Sequence, residues 1–538
     1  MRLWPVLLVS AIAAPAAAQS SPPKLIVAIS VDQLSSDVFD DYRPVLNGGF
    51  ARLGQGTVFP HAYQGHAASE TCPGHSTILT GAYPARNGII ANSWYDLSQG
   101  RADKAVYCAE DERVAGSTSA AYTVSAWHLK VPTLGDYLKR KWPGSRTVAV
   151  AGKDRAAVMM SGQRPDQRWY WNGKTFATDL TGATVPQSVA SARSAVARQV
   201  AQAQAGLEPP ALCSAKAAPV PVEGGGQPIG AGRFARTAGD LTLFRASPEF
   251  DGATLALAAG LVREMRLGKS GAPDLLTVGL SATDYVGHRY GTKGQEMCLQ
   301  MLSLDRDLGD FLAFLDREVG DYVVVLTADH GGKDIPERER GAGVAGAARV
   351  DPALSAGTMG KALSAKLGLA GTLLYGGNFG DMYVDRSIPP TQRARVLAAA
   401  LASYRAHPQV EAVFTHDQLA RTAMPGTTPD RWSLIERARA SFDATRSGDF
   451  VVLLKRDITP IADTRSGYVS THGSVWDYDR RVPIIFWRPG YPARTVDLPV
   501  QTVDILPTVA AMIGLAIPLK TIDGTCLSTA PGAVCVTD

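Results

Sequence analysis

These 538 residues contain no internal repeat, no Cys-x-x-Cys pair and no long basic tract. The missing Cys-x-x-Cys pair excludes a cysteine zinc site or a thioredoxin-like redox centre. Lys and Arg (54) nearly match Asp and Glu (50), for a formal charge of +4. With no basic stripe, that balance excludes a dedicated nucleic-acid binder. After the first twenty residues no uncharged apolar run approaches the roughly 20 residues a membrane span needs. Coiled-coil, collagen-like and multi-span readings therefore fall away. Charged residues are few, at 19%, but hydrophobic ones make up 45%, which is a globular and not a disordered composition. The length fits about three domain-sized units or one large elaborated domain.

The chain begins MRLWPVLLVSAIAAPAAAQS, with Arg2, an apolar run over Leu3–Ala14, and Ala16-Ala17-Ala18 before Gln19. This reads as a secretory signal cleaved near Ala18; Pro5 and Pro15 argue against an uncleaved anchor. The mature chain is expected to be exported, periplasmic or secreted, and free of membrane. Six cysteines remain, Cys72, Cys108, Cys213, Cys298, Cys526 and Cys535, an even number that suits disulfides in an oxidising compartment. They allow 15 connectivities, of which only Cys526–Cys535, close together in a Gly/Pro-rich tail, is assigned.

The mature chain opens with the β-branched run Lys-Leu-Ile-Val-Ala-Ile-Ser-Val-Asp, ending at Asp32. Continuous apolar runs of this kind suit strands buried on both faces of a parallel sheet. Similar runs lie at Arg146–Ala151, Asp274–Leu280, Tyr322–Thr327, Phe450–Lys455 and Val482–Trp487. Between them, Met297, Met301, Leu304, Leu308, Leu312 and Leu315 form a helical stripe. Thr133–Trp142, Thr254–Met265, Arg393–Tyr404 and Val503–Ile513 read as further helices. Alternating strands and helices predict an α/β fold with a largely parallel central sheet flanked by helices. Residues 203–235, rich in Ala, Pro and Gly, read as a long surface connection, and 333–372 as an insertion beside the core.

Ligands of open α/β sheets sit outside the carboxyl ends of the strands. Asp32 follows the first run. Asp274–Leu280 leads into Ser281-Ala282-Thr283-Asp284-Tyr285-Val286-Gly287-His288, and Tyr322–Thr327 into Ala328-Asp329-His330-Gly331-Gly332. Ser470-Thr471-His472-Gly473 precedes the run at Val482. Asp and His are zinc ligands, and Asp284 and His288 fit one helical turn. Singly, each residue reads equally as a cap or a structural histidine; together the four segments form a metal-binding pattern. Thr71, in Ser69-Glu70-Thr71-Cys72-Pro73-Gly74-His75, sits where a helix starts, either as its N-cap or as a nucleophile facing an anion. Cys72 is an alternative nucleophile or a disulfide partner. Lys153 and Arg155, in Gly152-Lys153-Asp154-Arg155, could point to the same side of an extended segment and bind a phosphoryl group.

This constellation resembles the alkaline phosphatase superfamily, and within it the exported bacterial monoesterases with a threonine nucleophile, the PafA/PhoK type. The resemblance spans Asp32 to His472, nearly the whole mature chain. It implies that Asp284, His288 and His472 hold one Zn2+ and that Asp32, Asp329 and His330 hold the other, with Thr71 as nucleophile and ligand of the second. It also implies that Asn92, Lys153 and Arg155 contact the phosphoryl oxygens. No Cys/Ser-x-Pro-x-Arg arrangement of the sulfatase branch is present, and the Lys stands in for the magnesium of the serine branch. The implied activity is hydrolysis of small phosphate monoesters through a phosphothreonine intermediate, with two Zn2+ and no third catalytic metal. The alternative is a nucleotide pyrophosphatase/phosphodiesterase of the same superfamily. The expected organisation is a signal peptide over 1–18 and one α/β domain over 19–538, monomeric, with insertions around 160–245 and 333–445 capping the site.

Overall fold

The computed structural model describes residues 21–535; the signal-peptide reading of residues 1–18 lies outside them. Nine strands form the main sheet: β1 (Leu25–Val31), β2 (Thr57–Tyr63), β3 (Thr147–Ala151), β4 (Gln167–Trp171), β5 (Phe176–Ala177), β6 (Asp274–Leu280), β7 (Tyr322–Thr327), β8 (Arg481–Trp487) and β9 (Arg494–Thr495). Their spatial order is β9-β2-β8-β7-β1-β6-β3-β4-β5. The centre, β7-β1-β6-β3-β4, is parallel, as the apolar runs predict. β8 is antiparallel to both β7 and β2. The register aligns Val31 with Leu280, Ser30 with Thr327, and Ala151 with Gly279, so four adjacent strands end on one edge.

Every residue of β1 is buried, because alternate side chains serve two cores. Seven helices matter here: α1 (Thr71–Thr80), α2 (Leu134–Lys141), α3 (Asp154–Ser161), α4 (Pro248–Glu264), α5 (Ala282–Tyr290), α6 (Gln295–Glu318) and α7 (Ile505–Met512). Leu25, Val27 and Ile29 pack with α4 and α6, including the stripe from Met297 to Leu315. Ile26 and Ala28 face Ile78 and Leu79 of α1, Leu134 and Leu138 of α2, and Leu506 and Val509 of α7. The helices read from sequence at Thr133, Thr254 and Val503 are α2, α4 and α7, with shifted ends. The segment at Arg393 lies in the helix Pro390–Ala406.

The run at Phe450 departs from expectation. Phe450–Leu454 lies in a separate antiparallel sheet, ordered Leu374–Gly376, Gly380–Val384, Phe450–Leu454, Val410–Thr415. A short apolar run records burial without recording which sheet buries it. This second sheet shares its own core with Val396, Ala400 and Tyr404 of the helix Pro390–Ala406. Residues 203–235 hold only the short helix Ala211–Ser214 and isolated bridges. A disulfide from Cys213 to Cys298 ties that connection to α6, Cys72 joins Cys108, and Cys526 joins Cys535 as expected. Among the described residues no helix is long and apolar enough to cross a membrane.

Leu276, in the middle of β6, has no exposed surface. Leu276→Ala should cost about 2–5 kcal/mol, read as a lowered denaturation midpoint at constant m-value. An unchanged midpoint would show that this layer repacks.

Candidate active site

The aligned strand ends bring the predicted metal-binding residues together. Asp32 follows β1 and its N–H bonds the Leu280 carbonyl of β6 at 2.9 Å. The chain leaving β6 turns into α5, so Asp284 and His288 stand one turn apart, His288 Nε2 lying 3.2 Å from Asp284 Oδ1. His472 arrives from a loop, with Nε2 at 3.4 Å from the same oxygen. Asp329 and His330 leave β7, and His330 Nε2 lies 3.3 Å from both Asp32 Oδ1 and Asp329 Oδ2. Two groups result, Asp284/His288/His472 and Asp32/Asp329/His330, each with its donor atoms within 4.8 Å of one another. The rings of His330 and His472 stack at 3.5 Å and join the groups.

Both groups fit a metal ion. Asp32 Oδ1 and Oδ2, Asp329 Oδ2 and His330 Nε2 are buried with no hydrogen bond, facing one another and the neighbours Lys153 and His75, an environment suited to a bound ion. Each histidine places Nδ1 on a backbone carbonyl: His288 on Ser470 at 2.7 Å, His330 on Gly331 at 2.8 Å and His472 on Ser69 at 2.8 Å. A proton held at Nδ1 leaves the Nε2 lone pair for a metal and fixes the orientation of the ring. In the protein alone, burial and the neighbouring Asp284 and Asp329 raise the Asp32 carboxyl above its ordinary range. Burial would raise Asp284 and Asp329 too, but His288 and Lys153 hold Asp284 well below that range, and His330 and His75 do the same for Asp329. Such crowding of carboxylates selects for cations.

Thr71 opens α1. Its N-cap is Glu70, which corrects the reading of Thr71 as a cap. Its Oγ1 instead lies 3.4 Å from both Lys153 Nζ and Arg155 Nη2. Lys153 bridges the two groups, 2.6 Å from Asp32 Oδ2 and 2.5 Å from Asp284 Oδ2. The Lys153–Arg155 segment is not extended, as its alternation suggested: Lys153 is the N-cap of α3 and Arg155 lies in its first turn, so the helix start brings both side chains to Thr71. The Asn92 Oδ1 accepts the Cys72 N–H at 2.8 Å, which ties Asn92 to the residue after Thr71 and leaves its amide N–H groups free of that bond. Cys72 itself is consumed in the disulfide with Cys108.

Three further residues build the site. Gln33, at φ +67°, donates its backbone N–H to Asp329 Oδ1 at 3.2 Å and its carboxamide to Asp284 Oδ1 at 3.1 Å, fixing one ligand of each group. His75, one turn beyond Thr71, sits 2.9 Å from the Thr71 carbonyl and 3.1 Å from Asp329 Oδ2. Gly74 lets α1 lie against β7, since a Cβ there would stand 1.8 Å from the Asp329 carbonyl oxygen. The adjacency of Gln33 to Asp32, and the i,i+4 spacing of His75 from Thr71, were the available sequence signals.

An open, mainly parallel sheet with two Asp/His metal groups at its strand ends and a hydroxyl at a helix start defines a protein of the alkaline phosphatase superfamily. The chain belongs to the family of type I phosphodiesterases/nucleotide pyrophosphatases, which matches it over residues 26–475. It is 50% identical to alkaline phosphatase PhoK of Sphingomonas sp, over 95% of this chain and 92% of that one. It is 47% identical to alkaline phosphatase PhoD of Zymomonas mobilis, over 95% and 89%. The crystal structure of wild-type alkaline phosphatase PafA superposes with a TM-score of 0.82 at 26% identity, covering 95% of this chain and 99% of that one.

A Cβ at Gly287 would fall 1.6 Å from Gln33 Oε1. Gly287→Ala should therefore displace the Gln33 carboxamide and weaken metal binding roughly 10–100-fold, measured as ions retained after graded chelation. Wild-type retention would show that Gln33 does not orient Asp284.

Proposed function

We propose that this protein is an exported alkaline phosphatase that hydrolyses phosphate monoesters. The observation that carries the reading is Thr71 Oγ1 standing between Lys153 and Arg155, beside two groups fit for metal. Asp284, His288 and His472 would hold one Zn2+ and Asp32, Asp329, His330 and Thr71 the other; bound there, the ions supply Lewis acidity that lowers the pKa of a hydroxyl or a water.

The Thr71 side chain attacks phosphorus in line, forming a Thr71 O–P bond as the bond to the ester oxygen breaks and the alcohol leaves. Water then attacks the phosphothreonine from the vacated side, releasing inorganic phosphate and restoring the hydroxyl. Lys153, Arg155 and the Asn92 amide hold the three equatorial oxygens, where charge resides throughout the transfer. Their positions are fixed before substrate arrives: Lys153 and Arg155 by the start of α3, and Asn92 by its bond to Cys72 N–H. Placing the nucleophile at the first turn of α1 adds the favourable end of the helix dipole.

Charge favours a monoester over a diester. Two divalent ions against the three carboxylates Asp32, Asp284 and Asp329 leave a site of single positive charge, and Lys153 and Arg155 add two more. A dianionic monoester gains more in that field than a monoanionic diester. This separates the reading from the phosphodiesterase or pyrophosphatase activity that the family's description carries. Three disulfides support export to an oxidising compartment. The whole is read as one elaborated α/β domain, acting as a monomer, in which the insertions around 160–245 and 333–445 form a cap.

Thr71→Ala should abolish turnover of p-nitrophenyl phosphate while bound metal is retained; turnover by that variant would remove Thr71 as nucleophile. Removing one charge-assisted contact costs about 1.5–3 kcal/mol, or one to two powers of ten. Lys153→Ala and Arg155→Ala should each lower kcat/KM for the monoester by that factor and leave a bis-p-nitrophenyl diester much less affected. Unchanged monoester hydrolysis in the double variant would move the reading to a phosphodiesterase.

A further inference from the structure

A cleft of about 690 Å3 opens where the carboxyl ends of β3 and β4 meet α5, and its walls include Lys153, Arg155, Tyr285 and Arg245. A phosphoryl group held by Lys153 and Arg155 therefore borders this cleft. Arg245 ends the short helix Leu241–Arg245, just before α4. Its guanidinium lies 4.6 Å from the centre of the Tyr285 ring, and Lys153 Nζ lies 5.1 Å from the same centre. The two cations cannot be farther apart than those distances combined.

The charges on the cleft wall are unequal in one respect. Asp154 accepts the hydroxyls of Tyr107 and Tyr122, both at 2.7 Å, and Asp179 is paired with Arg168. Both wall carboxylates are thus engaged elsewhere. Arg245 forms no ion pair with any carboxylate among the described residues; its contact is the face of Tyr285. Arg155 likewise has hydroxyl partners, Tyr107 and Thr71, and no carboxylate within ion-pair distance. A half-buried guanidinium held over an aromatic ring, with its planar fork unpaired, is suited to an incoming carboxylate or phosphate.

We propose that Arg245 is a second anion-binding position, and that the cleft selects phosphate monoesters whose alcohol portion carries another anionic group. The inference rests on the reaction proposed above: the first phosphoryl group sits at Thr71, Lys153 and Arg155, and the second reaches Arg245 across Tyr285. Arg245 acts in substrate selection and touches no reacting atom.

Binding to metal-replete Thr71→Ala protein tests this without turnover, using glucose 1-phosphate and glucose 1,6-bisphosphate in calorimetric titrations. The bisphosphate should bind about tenfold more tightly, the value of one charge-assisted contact and more than the statistical gain of having two phosphates. Adding Arg245→Gln should erase that preference while glucose 1-phosphate still binds, and adding Arg245→Lys should keep most of it. Equal affinity for the two sugars would overturn the proposal, as would a preference that survives Arg245→Gln. So would equal loss of both ligands in the Gln and Lys variants alike, which would place Arg245 in the framework of the site. Failure of the parent enzyme to hydrolyse glucose 1-phosphate would instead strike the proposed reaction, since the binding preference is measured independently of turnover.

Discussion

Three carboxylates that repel one another are forced together in a dry place. Asp32, Asp284 and Asp329 follow β1, β6 and β7, three neighbouring parallel strands whose ends are in register. Each is buried, and without cations the arrangement would be opposed by both desolvation and mutual repulsion. In this structure Lys153 answers part of that charge by reaching Asp32 and Asp284 at once. The two-sided cores around β1, the close contact of α1 with β7 at Gly74, and the bonds from Gln33 all hold the carboxylates in a geometry they would not choose. Folding energy drawn from apolar burial is thereby converted into affinity for divalent ions.

The site has a division of labour that follows from where each element begins. Asp32, Asp329 and His330 lie just past strand ends, Asp284 and His288 on α5 and His472 on a loop, while helix starts carry the groups proposed to face substrate: Thr71 at α1, and Lys153 and Arg155 at α3. The Asn92 loop is tied to α1 through a side-chain acceptor. Strand ends are rigid because their backbones are paired on both sides, which suits ligands that tolerate little displacement. Helix starts present free N–H groups and a favourable dipole, which suits an anion. The histidine rings stacked between the groups join the metal positions across this boundary.

Much of this was legible in the sequence because the chemistry lies directly after apolar runs. Asp32, Asp329 and His330 needed only the rule that ligands gather beyond parallel strand ends, and Asp284 with His288 needed only helical spacing. His472 was read from the Gly-containing segment ahead of the run at Val482, whereas Asn92 follows no such rule and was reached through resemblance to a family. Gln33 and His75 act through contacts with Asp284 and Asp329, far away in sequence, and those contacts no local pattern encodes. The same limit explains Phe450–Leu454, whose apolar character is real but whose pairing partners are set by the second sheet. Lys153 and Arg155 were placed together for the wrong local reason, since a helix start, not an extended segment, aims them at Thr71.

The Cys72–Cys108 bond joins two parts of the site. Cys72 follows Thr71 on α1, and the Cys108 N–H bonds the Asn92 carbonyl at 3.0 Å, so the bridge staples the start of α1 to the loop that carries Asn92. With both thiols reduced, only hydrogen bonds and apolar packing would keep those two parts in step. On the proposed reading, forming this bridge becomes a licensing step, in which full hydrolytic competence waits for an oxidising compartment.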